Sequence, residues 1–520
     1  MLMLKFFESK LLIACRLSAV FILVFCWSLP SIALELDWSG QFRTGTHWIR
    51  NYALDSDAGR VRDTTKESAG GYYIPGGGAS NASFQTLFMR LRPTVVVNDN
   101  IYVKSDWWLG DPVFGFFGNA APYTPDQRQF YSSQSRSSLI SAQRFWGEFL
   151  SDVGTVQVGR VPLHWGLGLT WNSGEGVWDR YASTGDAIRL LSKFGSFSFS
   201  ASIIKYSMGN TIAGACVSTP IGCSTIAGGG GLSDYSLLIK YENPDEDFEG
   251  GVNFIKRLAG AGQDPNAGFM GPGLVGSTQA SAGMNYNTWD LYGRKKFGKF
   301  SVAGELPIVT GELAGLGYKT YAIALETAYR FSDRWEVSSK LGRAPGQPNA
   351  ANNQVDKFKS YFFNPNYQIG LIMFNYQLAN FAGPHTVNNP ITSQSTLLSP
   401  FDNPITNANY FSLHGGFSTD KWNFHSTFVM AKAVESAING SAFFNSWRRR
   451  FYPNVSQKDQ DSFLGWELDL GTTFKWDDFF LLALDGGIFF PGGFYKFSNV
   501  GTDNPTSSVI AGVAQIGVTF

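Results

Sequence analysis

Between Gly159 and Arg189 the chain places Trp165, Trp171, Trp178 and Tyr181 among Arg160, Arg180, Arg189, several carboxylates and six glycines. Flat aromatic faces beside guanidinium and carboxylate groups are a common means of gripping sugars, and glycine lets backbone fold tightly in a confined space. The same side chains would serve equally as the interfacial belt and rim packing of a membrane barrel. Hydrolytic chemistry has less support. Of His47, His164, His385, His414 and His425, only His414 and His425 lie close in sequence, and neither a nucleophile elbow nor an HExxH pattern accompanies them. The chain therefore reads as a non-enzyme. No cofactor or metal is implied.

Cysteine usage points outside the cytoplasm. Cys15 and Cys26 fall in an N-terminal leader, leaving Cys216 and Cys223 in a Gly, Ser and Thr-rich stretch where a small-loop disulfide is permitted, with two free thiols as the alternative. No third ligand beside the pair suggests a metal. Residues 1–33 have the form of a secretory signal: Lys5, Lys10 and Arg16 supply the basic part, Leu17 to Leu29 the apolar core, and Ser31-Ile32-Ala33 a small-x-small cleavage site. That apolar run is shorter than the ~20 residues a spanning helix needs. The mature chain would occupy 34–520.

Composition narrows the class further. Charged residues make up 16% and aromatics 15% of the chain, with 58 glycines, and Lys plus Arg equals Asp plus Glu at 41 each. A soluble domain usually carries about 25% charge. The balance gives no reason to expect nucleic acid as a partner.

The positioning elements are strands. In Ser462 to Lys475, Leu464, Trp466, Leu468, Leu470 and Phe474 alternate with Gly465, Glu467, Asp469, Thr473 and Lys475. One face suits lipid and the other water. Phe197 to Ile203, Thr320 to Phe331 and Leu87 to Val95 alternate in the same way. Eight short Asp, Asn, Gly or Ser-rich turns, at 98–100, 151–154, 193–195, 243–248, 295–299, 332–334, 418–421 and 476–478, separate these windows from nine long polar stretches. The long stretches are 50–82, 110–138, 161–182, 207–231, 258–279, 309–317, 344–407, 433–461 and 490–506. Eight and nine connections imply an all-β, antiparallel, transmembrane barrel of eighteen strands, with short periplasmic turns and long extracellular loops. The final strand alternates to the terminal Phe520, which resembles the C-terminal signal taken up by the outer-membrane assembly machinery. Tyr367 to Leu378 is apolar enough for another strand, but strand parity favours placing it within the long loop 344–407, folded into or over the pore.

An eighteen-stranded barrel encloses more space than side chains fill, which makes transport the default. Strand alternation points Arg90, Arg92, Lys104, Asp106, Arg144, Glu148, Arg189, Glu326, Arg330, Lys340, Glu467, Asp469 and Lys475 inward. Arg90, Arg92, Arg144 and Arg189 could form an anion-selecting stripe, or lumenal charges could simply pair across strands.

Gly159-Arg160, Trp165-Gly166, Trp178-Asp179-Arg180 and Asp186 to Arg189 resemble the corresponding hairpin of alginate-export-type outer-membrane barrels. That resemblance implies an eighteen-stranded exporter of an acidic polysaccharide with an Arg-rich conduit, to which Arg160, Arg180 and Arg189 would contribute. The residues themselves support a porin-like outer-membrane channel passing small polar solutes or sugars. An adhesive barrel is a further alternative, because Trp447-Arg448-Arg449-Arg450 in 433–461 suits lipopolysaccharide phosphates. Outer-membrane lipid and lipopolysaccharide are in any case the expected surroundings of a Gram-negative barrel.

Overall fold

The computed structural model describes residues 35–52, 54, 81–110, 140–206, 217–219, 222–224, 232–259, 284–313, 316–350, 357–376, 378, 404–445, 450–497, 503 and 506–520. Residues 1–33, where the leader is expected, lie outside them, as do Cys216, His385 and Trp447 to Arg449.

Eighteen antiparallel strands form the wall. In chain order they are β1 Glu35–Arg50, β2 Asn81–Asn98, β3 Ile101–Gly110, β4 Ile140–Ser151, β5 Gly154–Pro162, β6 Thr184–Phe194, β7 Phe197–Lys205, β8 Ser233–Asn243 and β9 Phe248–Ala259. There follow β10 Met284–Phe297, β11 Phe300–Leu313, β12 (Leu316–Tyr321 continued by Ile323–Arg330), β13 Trp335–Ala344, β14 Ala408–Ser418, β15 Trp422–Ala433, β16 Phe463–Lys475, β17 Phe480–Pro491 and β18 Val509–Thr519. Each strand pairs with its sequence neighbour, and β1 closes on β18 from Gln41↔Thr519 to Arg50↔Ile510. Closure follows from the sequence: strands that present apolar side chains outward also present backbone to hydrocarbon, where an unpaired edge would go unsatisfied.

Burial is inverted relative to a soluble protein. Leu470 is 63% exposed and Ile188 61%, whereas Glu467, Asp290 and Asp234 are 0% exposed. Aromatics crowd the short-turn end of the outer face, including Phe149, Phe194, Phe297, Phe331, Trp335 and Trp476. Rings pair there across strands, with Trp335–Phe417 centroids 4.7 Å apart and Trp422–Phe474 4.6 Å. Such a girdle marks a bilayer interface. No helix among the described residues is long and apolar enough to cross a membrane. The chain is an outer-membrane β-barrel.

Both ends of the wall lie with the short turns, so the long connections are extracellular. One connection expected to be long is not. The segment 309–317 is largely strand, because β11 runs to Leu313 and β12 resumes at Leu316, leaving a two-residue connection in an extended hairpin. Its Gly311 and Gly315 suggest loop to a sequence reader, yet Gly311 sits in the ladder at φ +145, a conformation that glycine tolerates.

Among the described residues, the largest apolar cluster lies inside the barrel. Ala322, Ala324, Ala344, Ala408, Ala431 and Ala433 leave room on the wall for Phe363, Tyr367, Ile369, Ile372, Met373 and Tyr376 of the segment 357–378. Tyr367–Tyr376 forms turns rather than the alternative nineteenth strand.

Gly159 shows how tightly β5 is built. It has φ +128, and a Cβ there would stand 2.4 Å from the Phe145 carbonyl oxygen and 2.8 Å from the Trp146 Cα. Gly159→Val should therefore destabilise the refolded barrel by about 2–4 kcal/mol. Gly293→Ala, with nothing within 4 Å of its added Cβ, should stay within about 0.5 kcal/mol of wild type. Urea unfolding in vesicles, followed by tryptophan fluorescence, separates the two; equal midpoints would refute the packing account.

Candidate functional site

Among the described residues, two loops enter the lumen, 163–183 and 357–376, and charged groups of the wall hold both by their backbones. The first loop is gripped at three places. At its start, the fully buried Glu305 of β11 accepts from the Leu167 amide and, at 3.2 Å, from the Leu169 amide. Beside it, Thr170 Oγ1 donates to Asp290 Oδ2, and Trp165 Nε1 donates to the Asp290 carbonyl at 3.1 Å. At its tip the wall donates instead of accepting. Arg90 Nη1 reaches the Gly174 carbonyl at 2.7 Å, Arg144 reaches the Ser173 carbonyl, and Arg43 reaches the Val177 carbonyl.

The arginines also share two carboxylates. Arg90 Nε lies 2.8 Å from both oxygens of Asp106, which accepts from Trp108 Nε1 at 3.0 Å and stands 3.3 Å from Arg144 Nη1. Glu175, at the loop tip, meets Arg144 at 2.7 Å, Arg92 at 2.5 Å and Arg90 at 3.4 Å. Burial alone would push the Glu175 carboxyl up; Arg90, Arg144 and Arg92 more than reverse this and hold it below the usual carboxylate range.

The second loop is held by β14 and β16. Glu467 of β16 accepts from the Ile372 amide at 2.7 Å and the Met373 amide at 2.5 Å, and Asp469 from the Leu371 amide at 3.1 Å. Ser412 Oγ donates to the Ile369 carbonyl at 2.9 Å. These bonds take the place of a strand partner, which is why an apolar run with strand-like composition stays in turns.

The loops then lock together. Asn366 Oδ1 accepts from the Tyr181 amide at 2.9 Å and the Arg180 amide at 3.2 Å, while its Nδ2 donates to the Tyr181 carbonyl at 2.6 Å. Arg180 Nη1 donates to Asn375 Oδ1 at 2.7 Å, and the Asn364 amide to the Leu169 carbonyl at 2.8 Å. Tyr376 Oη meets His47 Nδ1 at 2.7 Å.

Several expected roles change. Arg160 is not pore-lining: Gln157, Gly159 and Val161 are the inward positions of β5, and Arg160 points outward to Asp186 at 2.6 Å. Trp165 and Trp171 are buried, Trp165 bonded to β10 and Trp171 packed with Val161, Leu163 and Ile204, so neither offers a face to a sugar. Trp178 and Tyr181 are half-buried. Arg90, Arg92 and Arg144 converge, but as anchors and ion pairs rather than a bare anion-binding stripe. Arg189 faces inward apart from them, donating to Gln157 Oε1 at 2.7 Å and the Pro162 carbonyl at 3.0 Å. Lys104 pairs with Glu148 at 2.8 Å, Glu326 with Lys340 at 3.1 Å, and Arg330 with Glu336 at the periplasmic end at 3.3 Å. Arg43, Glu175, Asp290, Glu305 and Asn366 were not singled out from sequence. Arg43 was legible, since Gln41, Arg43 and His47 alternate with Phe42 and Trp48; Asn366 was not, since its partners are 185 and more residues away.

Below the second loop, a cavity of about 460 Å³ opens in the periplasmic half of the lumen, lined by Glu336, Lys340, His414, His425, Asp469 and Asp485 among others. The His414 and His425 rings stack at 5.6 Å. Asp485 orients His425 at 2.9 Å, whereas the Thr427 hydroxyl bonds to the other histidine, His414, at 3.0 Å. The oriented imidazole and the hydroxyl thus do not form one relay.

No family model matches the chain, and no curated protein matches it in sequence. Among solved structures, the barrel is similar to OccK5 (OpdH) of Pseudomonas aeruginosa, at 10% identity and TM-score 0.45 over 93% of this chain and 98% of that one. It is also similar to the outer membrane protein OprD of the same organism, at 9% identity and TM-score 0.46 over 94% of each chain. A BenF-like porin from Pseudomonas fluorescens Pf-5 gives 7% identity and TM-score 0.48 over 94% and 98%.

Two outcomes test the anchoring. Glu467→Ala removes the acceptor of the Ile372 and Met373 amides and should lower the local opening free energy by about 2–3 kcal/mol, accelerating hydrogen exchange there roughly hundredfold; unchanged exchange would show that the loop is held otherwise. Because the Glu175 carboxyl is held low, its contribution is complete above the ordinary carboxylate pKa and is lost as pH falls through its own lower value. Protection of the amides at 173–177 should accordingly fall at a pH below the ordinary carboxylate range, and Glu175→Gln should abolish that pH dependence.

Proposed function

We propose that the barrel is an outer-membrane channel for passive passage of small polar solutes, sugars included, narrowed at mid-lumen by the two interlocked loops. The observation that carries this reading is that the described interior is neither packed solid nor bare. A polar cavity of about 460 Å³ lies directly under a constriction whose parts are held by hydrogen bonds rather than covalently. A polar lining with donors and acceptors at many angles suits hydroxylated or zwitterionic solutes better than apolar ones.

The two sides of the constriction carry opposite charge. Arg43, Arg90, Arg92 and Arg144 outnumber Asp106 and Glu175 on the β1–β4 side, while Glu467 and Asp469 of β16 face the second loop. Export of an acidic polysaccharide needs a continuous free arginine track. Here Arg90 and Arg144 are engaged with carboxylates and loop carbonyls, and Arg160 faces outward.

Two loop replacements test the channel. Replacing 170–180 with a short Gly-Ser link would free the arginines, and replacing 367–376 would free Glu467 and Asp469. In planar bilayers with a salt gradient, both should raise single-channel conductance, the first shifting reversal potential towards anions and the second towards cations. A barrel that stays silent in all forms would sink the channel reading; shifts of the same sign would sink the account of the two walls.

A further inference from the structure

We propose that the outer face of β5 to β9, at its extracellular edge, binds a phosphorylated glycolipid of the outer leaflet through Arg160, Lys205 and Lys256. Strand register sets the site. Arg160 of β5 pairs with Asp186 of β6, and Asp186 with Lys205 of β7, so three charges stand in one row across three strands. All three point away from the lumen, since Val161, Ala187 and Ile204 are the buried neighbours. Lys256 of β9 lies opposite the outward Tyr235 of β8, two residues below Ser233, which pairs with Lys205. At ~4.8 Å between strands and ~3.4 Å per residue, Lys205 and Lys256 are roughly 12 Å apart at the backbone, within reach of one large headgroup.

The ligand class follows from what lies on either side of that row. One step below, on the same face, are Val158, Ile188 and Ile203, at 43%, 61% and 50% exposure. An acyl chain against these residues leaves its headgroup at the level of Arg160 and Lys205. Free phosphate uses only the cations, and an uncharged lipid only the apolar strip. The Arg160 Nε and Nη2 are fixed on Asp186 at 2.6 and 3.0 Å, which leaves the guanidinium's other donors for phosphate oxygens. Asp186, 54% exposed, adds an acceptor that a sugar hydroxyl or amide can satisfy and a phosphate cannot. That acceptor favours a phosphorylated sugar over a simple phospholipid.

The site is the densest part of a wider asymmetry. Arg50, Lys319, Arg343 and Lys432 also point outward at the extracellular ends of their strands, where Asp186 and Glu312 are the outward acids among the described strand residues. The periplasmic edge presents mainly aromatic rings. Cations gathered on one rim of a lipid-facing wall match a leaflet rich in phosphate.

The test uses the refolded chain without residues 1–33, in detergent, with native mass spectrometry to count retained lipid. Wild type should hold bisphosphorylated lipid A at least about tenfold better than its dephosphorylated form, and excess inorganic phosphate should not displace it. The triple variant Arg160→Gln, Lys205→Gln, Lys256→Gln should lose this preference, while Lys295→Gln at the opposite edge keeps it. Heat-modifiable gel mobility confirms that each variant is folded. Equal retention of the two lipids by wild type, or an unchanged preference in the folded triple variant, would overturn the proposal. Displacement by inorganic phosphate would make it an anion site and overturn the lipid assignment, and retention of phosphatidylglycerol equal to that of lipid A would overturn the sugar-specific part.

Discussion

Every backbone amide and carbonyl out of reach of water needs a partner, and this constraint organises the molecule twice. On the outside it forces closure, because a β-sheet facing hydrocarbon has no other way to satisfy its edges, and β1 meets β18 over ten residue pairs. On the inside it decides how two irregular loops can occupy the lumen. Their amides are accepted by Glu305, Glu467 and Asp469, and their carbonyls receive donors from Arg43, Arg90 and Arg144. The charged side chains of the wall act first as the missing strand.

That use of charge bears on what the pore can do. A guanidinium that holds a carbonyl and a carboxylate is still a cation, but its field is partly cancelled and its donors are engaged. Each wall therefore attracts oppositely charged solutes in proportion to the residue of charge left after anchoring. The packing is complementary as well: small inward alanines on β12 to β15 accommodate large loop side chains such as Phe363, Tyr367 and Tyr376, so the constriction is wedged as well as tethered.

The outer surface carries its own information. Aromatic rings gather at the periplasmic edge and cations at the extracellular edge, with an apolar band between them. The two edges of one sheet thus match two chemically different leaflets, and the wall itself records its orientation in the membrane.

Period-two alternation, eight short turns and a run of long connections were enough to specify an eighteen-stranded barrel and the inward direction of Arg90, Arg144, Glu326, Glu467 and Asp469, because side-chain direction in a strand is a local property. Resemblance misled where alternation did not: Gln157, Gly159 and Val161 take the inward positions of β5, so Arg160, expected in the conduit by likeness of the hairpin, stands on the lipid side. In 309–317, a stretch that reads as loop, Gly311 and Gly317 sit in the paired strands of an extended hairpin. The constriction itself was beyond local reading. Trp165 and Trp171 look like sugar platforms in sequence and are buried supports in space, and Asn366 joins Tyr181 across 185 residues. The sequence by itself determined the wall, since a strand's two faces are written residue by residue; the tertiary structure alone decided what fills it, since a loop takes its partners from whichever distant groups closure brings within hydrogen-bond distance.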